Sequence, residues 1–216
     1  MRSYRQYCAV AKALDVVGDR WTLLVLRELM LQDGCRYTDL LNGLPGIATN
    51  LLTDRLRQLE DAGLIQREAA PPPVATTLYH LTEAGRELEP VIRALGRWGA
   101  RFMTSPTGDE SFRSHWLSFP VGEFLHDGDP AGPPLAIEIQ TGDQPTVIEV
   151  SGGRLRTRPG PASSPDLVLT APAPLVLGVL TGQITLTEAE DLGLRTTGNP
   201  AALRRLQPRG IPARAT

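Results

Sequence analysis

Residues 37–68 read YTDLLNGLPGIATNLLTDRLRQLEDAGLIQRE, and this stretch decides the fold of the first half of the chain. Tyr37 to Leu41 forms one short amphipathic turn of helix, stopped by Asn42-Gly43-Leu44-Pro45-Gly46. From about Thr49 to Ala62, Leu52, Leu56 and Leu59 recur at helical spacing, and Gly63 stands where a glycine ends a helix. The opposite face carries Asn50, Asp54, Arg57 and Asp61, flanked by Thr49, Thr53 and Arg55. Two short helices joined by a glycine-containing turn, the second polar along its outer side, meet the requirement of a helix that enters a DNA major groove. A plain surface helix of a bundle has the same polar face, so the flanking segments must separate the two readings.

Downstream, Leu64 to Glu68 is a short strand pattern, followed by Ala69 to Thr76 with three consecutive prolines, then a second strand from Thr77 to Leu81. A hairpin directly after two such helices is the winged-helix plan, with the prolines stiffening the wing tip and keeping its edge from pairing elsewhere. Thr82 is placed to cap a long helix from Glu83 to about Met103, which Pro90 should bend near Arg86 or divide. Its stripe of Leu88, Val91, Ile92, Leu95, Trp98 and Phe102 is wider than one small domain needs, so it is either an intrachain packing face or a dimer seam. Upstream, residues 6 to 16 and 19 to 31 read as helices, with Asp19 as N-cap of the second and Trp21, Leu24, Val25, Glu28 and Leu29 setting a 3.6-residue period.

With these residues in place, the first half resembles the HxlR-type transcriptional regulators. The likeness rests on Cys8-Ala9-Val10, Leu14 to Leu29 with its Gly18-Asp19-Arg20-Trp21, Arg36 to Leu40, Gly46-Ile47, Leu52 to Leu56, Gly63-Leu64-Ile65 and Tyr79-His80-Leu81-Thr82, and spans about residues 7 to 103. The resemblance implies a dimeric winged-helix protein whose terminal helices form the dimer and whose Thr49 to Gln58 segment reads double-stranded DNA. It also implies that the N-terminal Cys8 sits where some such regulators sense redox state. A reactive thiolate there needs a nearby positive charge such as Arg5 or Lys12. The other reading of Cys8 is a small core residue. Cys35, beside Gly34, is expected to be exposed and incidental.

On such a fold Thr49, Asn50 and Thr53 can bond base edges or phosphates, and Arg55 and Arg57 are candidate charge contacts. Arg36 is placed to touch the backbone across the groove, and Arg67 is the wing's main cation. If Arg55 holds a base in bidentate fashion, its loss costs about 1–3 kcal/mol of binding. The window from Ile47 to Arg67 is formally neutral, three Arg against Asp54, Glu60 and Asp61. Tight binding by one subunit is therefore not expected, and a homodimer on a palindromic operator is.

Composition sets the outer bounds. The 216 residues exceed one average domain, and 41% hydrophobic with 21% charged residues excludes a wholly disordered chain. Residues 1–104 carry a formal +1 and the remainder −3, so neither part has the basic excess of a non-specific nucleic-acid binder. Apolar runs are far shorter than a bilayer needs, and Lys12 and Asp15 interrupt any apolar leader, so no membrane partner and a cytoplasmic location are expected. Cys8 and Cys35 form neither a disulfide framework nor a metal-binding C-x-x-C.

The texture changes after the polar stretch 104–111. The expected layout is a DNA-binding and dimerisation domain over 1–104, a linker and helix over 105–118, and a second domain over 119–216. An amphipathic helix from Phe112 to Phe124, interrupted by Pro120, precedes strand candidates at Leu135–Gln140, Thr146–Val150, Arg154–Thr157 and Asp166–Thr170. Gly142-Asp143 and Gly152-Gly153 suit hairpin turns. Ala173 to Leu180 reads as an apolar helix, Thr187 to Leu192 as another and Leu194 to Thr197 as a strand; Asn199 and Pro200 open a last helix running to Leu206. The order is α+β, a strand meander followed by covering helices. Pro165 to Thr170, Pro174 to Gly182 and Leu194 to Pro200 are similar to sterol-carrier-protein-like domains, which implies an apolar tunnel lined by Val176, Leu177, Val179 and Leu180 for a hydrophobic effector. A filled core is the other reading of these residues.

No catalytic constellation emerges, and no cofactor or metal is expected. His80, His115 and His126 lack ligand spacing, and there is no G-x-S-x-G or P-loop lysine. The expectation is a regulator rather than an enzyme. The rivals are a redox-responsive regulator with a structural C-terminal domain and a hydrophobic-ligand carrier.

Overall fold

The computed structural model describes residues 3–32, 34–70, 76–103 and 110–209. The chain divides into two compact units, Met1–Leu95 and Gly96–Thr216. The three prolines expected at the wing tip, 71–73, and residues 104–109 of the polar stretch lie outside the described residues.

The first unit runs α1 (Ala9–Val17), α2 (Thr22–Leu31), β1 (Cys35–Arg36), α3 (Tyr37–Gly43), α4 (Thr49–Asp61), β2 (Ile65–Ala69), β3 (Thr77–Leu81), α5 (Glu83–Arg86) and α6 (Glu89–Gly99), the last reaching into the second unit. Leu52, Leu56 and Leu59 turn one side of α4 onto Val25, Leu26, Leu29, Leu40 and Leu44, forming a core from which water is excluded. The chain leaves α4 through Gly63 at φ +71°, the left-handed geometry expected of that position. β2 and β3 then pair antiparallel from Ile65 opposite Leu81 to Ala69 opposite Thr77. β1 adds to the other side of β3, giving the order β1-β3-β2. This is a winged helix-turn-helix.

Three details differ from the sequence expectation. Asp19 does not cap α2; Trp21 precedes the helix at φ +78°, and the Asp19 carboxylate is engaged elsewhere. Thr82 does cap α5, accepting from the Gly85 N–H at 3.1 Å, but the long helix divides. α5 ends at Arg86 and α6 begins at Glu89, with Pro90, which has no N–H to donate, in its first turn. Cys35 is buried, because pairing of β1 with β3 places it opposite Tyr79.

The second unit begins within α6. The Phe119 ring lies against Gly96, where a Cβ would collide with it, and Arg97 pairs with Glu123 at 2.6 Å. These contacts place the division at Leu95/Gly96, ahead of the polar stretch at 104–111. The expected 112–124 helix becomes a 3₁₀ turn, Ser114–Leu117, followed by α7 (Ser118–Phe124). Next come β4 (Leu125–Asp127), β5 (Leu135–Gln140), β6 (Thr146–Ser151), β7 (Arg154–Pro159), β8 (Leu167–Thr170), α8 (Ala173–Leu180), α9 (Leu186–Asp191), β9 (Arg195–Gly198) and β10 (Leu206–Pro208). A 3₁₀ segment, Pro200–Arg205, precedes β10, with Asn199 Oδ1 accepting from the Ala201 N–H at 3.1 Å.

The five-stranded sheet has the order β7-β6-β5-β8-β9. Gly152 and Gly153, at φ +55° and +78°, make the tight reversal between β6 and β7 that other residues resist. The arrangement is not a plain meander: after β7 the chain crosses to lay β8 parallel to β5. Ile137, Ile139, Ile148, Val150, Leu167 and Leu169 pack with Val176 and Leu180 of α8 in one buried cluster. Beside this sheet, β4 and β10 form a two-stranded antiparallel ribbon. A buried Asp127–Arg205 pair adjoins it, with Nε to Oδ1 at 2.7 Å and Nη2 to Oδ2 at 2.9 Å. No helix among the described residues is long and apolar enough to cross a membrane.

Candidate nucleic-acid interface

The outer face of α4 is built by the same periodicity that buries its inner face. Thr49, Asn50, Thr53, Asp54 and Arg57 are exposed. α3 is tied to the start of α4 by Tyr37, whose hydroxyl donates to the Thr49 carbonyl at 2.8 Å and lies 3.3 Å from Thr53 Oγ1. Thr53 Oγ1 also donates to the Thr49 carbonyl at 2.9 Å, and Asn50 Oδ1 accepts from the Leu51 N–H at 2.9 Å. The amide nitrogen of Asn50 and the guanidinium of Arg57, which is 3.1 Å from Asp54 Oδ1, remain on the open side. A groove of about 240 Å³ between α4 and the hairpin is lined by Tyr37, Thr53, Arg57, Glu60, Arg67 and Tyr79.

The other predicted cations divide. Arg36 is exposed at the head of α3. Arg67 is exposed but held by Glu60 at 2.8 Å, and this hydrogen bond raises its pKa above the ordinary arginine value. Arg55 does not stand on the open face. Its side chain is only 14% exposed, pairs with Asp19 at 2.6 Å, donates to the Arg20 carbonyl at 3.2 Å and is also bonded to Gln58. Its reading as a bidentate base contact gives way to a strut between the turn before α2 and the middle of α4.

Sequence reasoning missed Glu28, which it counted only within the helical period. It is fully buried, bonded to Arg27 at 2.5 Å and to Gln32 Nε2 at 3.2 Å, and it packs against Gly43 at the end of α3. A charge so deeply buried inside an otherwise apolar period was the available signal.

Of the expected seam residues, Ile92 is buried in the core and Leu88 packs partly against it, so neither is free for a partner. Leu95, Trp98 and Phe102 are 47%, 54% and 55% exposed, as are comparable fractions of Val10 and Leu14 on α1. Cys8 is exposed at the head of α1. Burial, with Glu28 and Asp39 adding to it, pushes the Cys35 thiol up to about 12. In the second unit, Val176 and Leu180 belong to the buried core cluster, while Leu177 and Val179 are half-buried beside it. No cluster of three or more metal-ligating side chains occurs among the described residues.

Comparison with known proteins bears on the first unit. The family model described as HxlR-like helix-turn-helix matches residues 16–107. An uncharacterised HTH-type transcriptional regulator of Synechocystis is 41% identical over 97 residues, covering 44% of this chain and 70% of that protein. One from Mycobacterium tuberculosis is 40% identical over 100 residues, and the chain spans 62% of its length. Among solved structures, the redox regulator HypR in its oxidised form is 33% identical, covering 43% of this chain and 94% of its own, with a TM-score of 0.40. The helix-turn-helix, the hairpin, the family model and the identity to the Synechocystis relative agree: the chain belongs to the HxlR-like helix-turn-helix family of transcriptional regulators.

Proposed function

We propose that the protein binds double-stranded DNA as a homodimer on a palindromic operator and regulates transcription there, with no catalytic step of its own. The observation that carries this reading is the outer face of α4, where Thr49, Asn50, Thr53 and Arg57 are exposed while Leu52, Leu56 and Leu59 anchor the helix. α4 enters the major groove and Arg36 and Arg67 lie toward phosphates. The exposed Leu95, Trp98 and Phe102 supply the seam. A near-neutral reading surface makes two subunits necessary. Selection of bound DNA from a random pool tests the proposal: it should return an inverted repeat with half-sites about 34–36 Å apart or a multiple of that spacing. No enrichment overturns DNA binding, and a single half-site bound as tightly as a full site overturns the dimer.

The C-terminal unit is proposed as a sterol-carrier-protein-like module for a hydrophobic effector, supported by the half-buried Leu177 and Val179 beside a core that already holds Val176 and Leu180. Native mass spectrometry of the purified chain for lipid-sized adducts tests this. A redox input is the second reading, favoured by the exposure of Cys8 while Cys35 is buried. It fails if Cys8→Ser leaves an oxidant's effect on DNA binding unchanged.

A further inference from the structure

β7 forms one edge of the five-stranded sheet, and its six residues include three arginines. Alternation along the strand sends Leu155 toward the buried cluster and sets Arg154, Arg156 and Arg158 together on the other face. The register separates these three. Glu149 on β6 stands opposite Arg156, yet its Oε1 accepts from Nε of Arg158 at 2.8 Å. Arg158 also donates to the Pro161 carbonyl at 3.1 Å, so it ties down the crossover that leads toward β8. Glu138 of β5, the next acid inward, is buried and accepts from Gln140 Nε2 and from the Ala162 N–H, each at 2.8 Å. Arg154 and Arg156 are exposed, with no carboxylate at ion-pair distance among the described residues. No large apolar side chain is exposed on β6 or β7.

Two uncompensated guanidiniums therefore stand on a half of the chain, residues 105–216, that is formally −3. Arg158 alone would guard this edge against a second sheet, a role that does not call for two more cations without acids. Their spacing suits a regular polyanion. Alternate residues of a strand lie about 6.6–6.8 Å apart. Successive phosphates of one duplex strand rise 3.4 Å and also swing around the axis, which brings their separation to about the same length. A bilayer surface would call for apolar side chains to insert, and none is exposed here. An acidic peptide added to this edge would need pockets for alternate side chains, whereas Leu155 is turned into the core. Duplex DNA is also the polyanion beside the chain whenever the winged unit is bound, and the covalent tether makes a second contact intramolecular. We infer that Arg154 and Arg156 form a second DNA contact, a sequence-independent clamp on backbone phosphates outside the half-site that α4 reads. Such a clamp adds affinity and salt dependence without base preference. It rests on the DNA-binding reading above.

The test compares the full chain on two duplexes. One is the operator selected from a random pool, trimmed to its inverted repeat; the other carries two helical turns of arbitrary sequence, about 20 bp, on each side. Fluorescence anisotropy over a salt series gives affinity and slope for each. The flanked duplex should bind more tightly, with a slope steeper by about one for each arginine per subunit. The double substitution Arg154→Ala with Arg156→Ala should remove that gain and leave binding to the trimmed repeat unchanged. Arg195→Ala, on β9 at the opposite edge of the sheet, removes a charge elsewhere and should leave the gain intact. Circular dichroism of the variants verifies the fold. Equal slopes on the two duplexes, or a gain that survives the double substitution, overturns the clamp. A comparable loss from Arg195→Ala also overturns it, by reducing the effect to bulk charge. Equal slopes together with polyglutamate binding that the double variant lacks would give the pair to an acidic protein instead. A pool that yields no operator overturns the DNA reading itself, whereas a trimmed repeat bound without any gain from flanks overturns the clamp only.

Discussion

Arg55, in the middle of α4, places Nη1 2.6 Å from Oδ2 of Asp19, a residue 36 positions earlier in the turn before α2. The pair sets the roll of α4 about its own axis, and hence which side chains meet the groove. Arg55→Ala should weaken operator binding while leaving the slope of log affinity against log salt unchanged, because no phosphate contact is lost. Asp19→Ala should act similarly, and the double variant should fall short of the sum by about 1 kcal/mol of coupling. Gel shifts over a salt series check this, and a slope reduced by about one per subunit would return Arg55 to the phosphates.

Arg57 and Asn50 stand on the open side of the same helix and should separate by role. Arg57→Ala is expected to weaken all sequences alike and lower the salt slope by about one per subunit. Asn50→Ala is expected to relax the preference at one base pair, with a discrimination loss of about 1–3 kcal/mol. A panel of single-base operator variants measured against both proteins distinguishes the two.

The two cysteines should differ sharply in alkylation. Cys8 is exposed, whereas the Cys35 thiol is buried and pushed up to about 12. Mass spectrometry after brief iodoacetamide treatment at pH 8 should show one adduct at Cys8, with Cys35 modified only in denaturant. Because the fold holds the Cys35 proton more tightly than the unfolded chain does, its contribution to stability is complete below pH 9.0 and is lost as pH rises from there toward 12.

Acid should expose the second unit through Asp127. Hydrogen bonds from Arg205 hold this carboxyl down at about 2 against the ordinary 3.8. The stabilisation is present above pH 3.8 and disappears as pH falls toward 2. Asp127→Asn should flatten that part of the acid denaturation curve and lower the melting temperature at pH 7, since it leaves a buried guanidinium half-satisfied. The exposed Arg158–Glu149 pair is the comparison, and Glu149→Gln should change the melting temperature little.

The proposed apolar seam predicts a change in mass. Trp98→Glu, at a side chain 54% exposed and stacked edge-on with Phe102 at 5.0 Å, should convert a dimer into a monomer in light scattering without unfolding it. A variant that keeps the dimeric mass would remove this stripe from the interface.

Periodic segments were legible because their cause is local. Leu52, Leu56 and Leu59 announce α4, Gly63 its end, and the run from Ala173 to Leu180 coincides with α8. What escaped depends on distant partners. The two residues of β1 have no period to read, so only the pairing of Cys35 with Tyr79 reveals why that thiol is buried. β4 and β10 are three residues each and exist through one another. Within the candidate interface, residue types placed Thr49, Asn50, Thr53 and Arg57 on the open side. They gave no indication that Arg55 faces Asp19, because a charge on a helix shoulder can turn either way and the turn before α2 decides which.

The β4–β10 ribbon also orders events during synthesis. Strand Leu206–Pro208 must emerge before Leu125–Asp127 has its mate, whereas every residue of the first unit has been made by Leu95. At about 5–20 residues per second, the ribosome needs roughly 6 to 23 s to cover that gap. Throughout this interval the winged segment is complete while β4 still lacks its partner strand, so the first unit can fold on the ribosome before the second has all its strands.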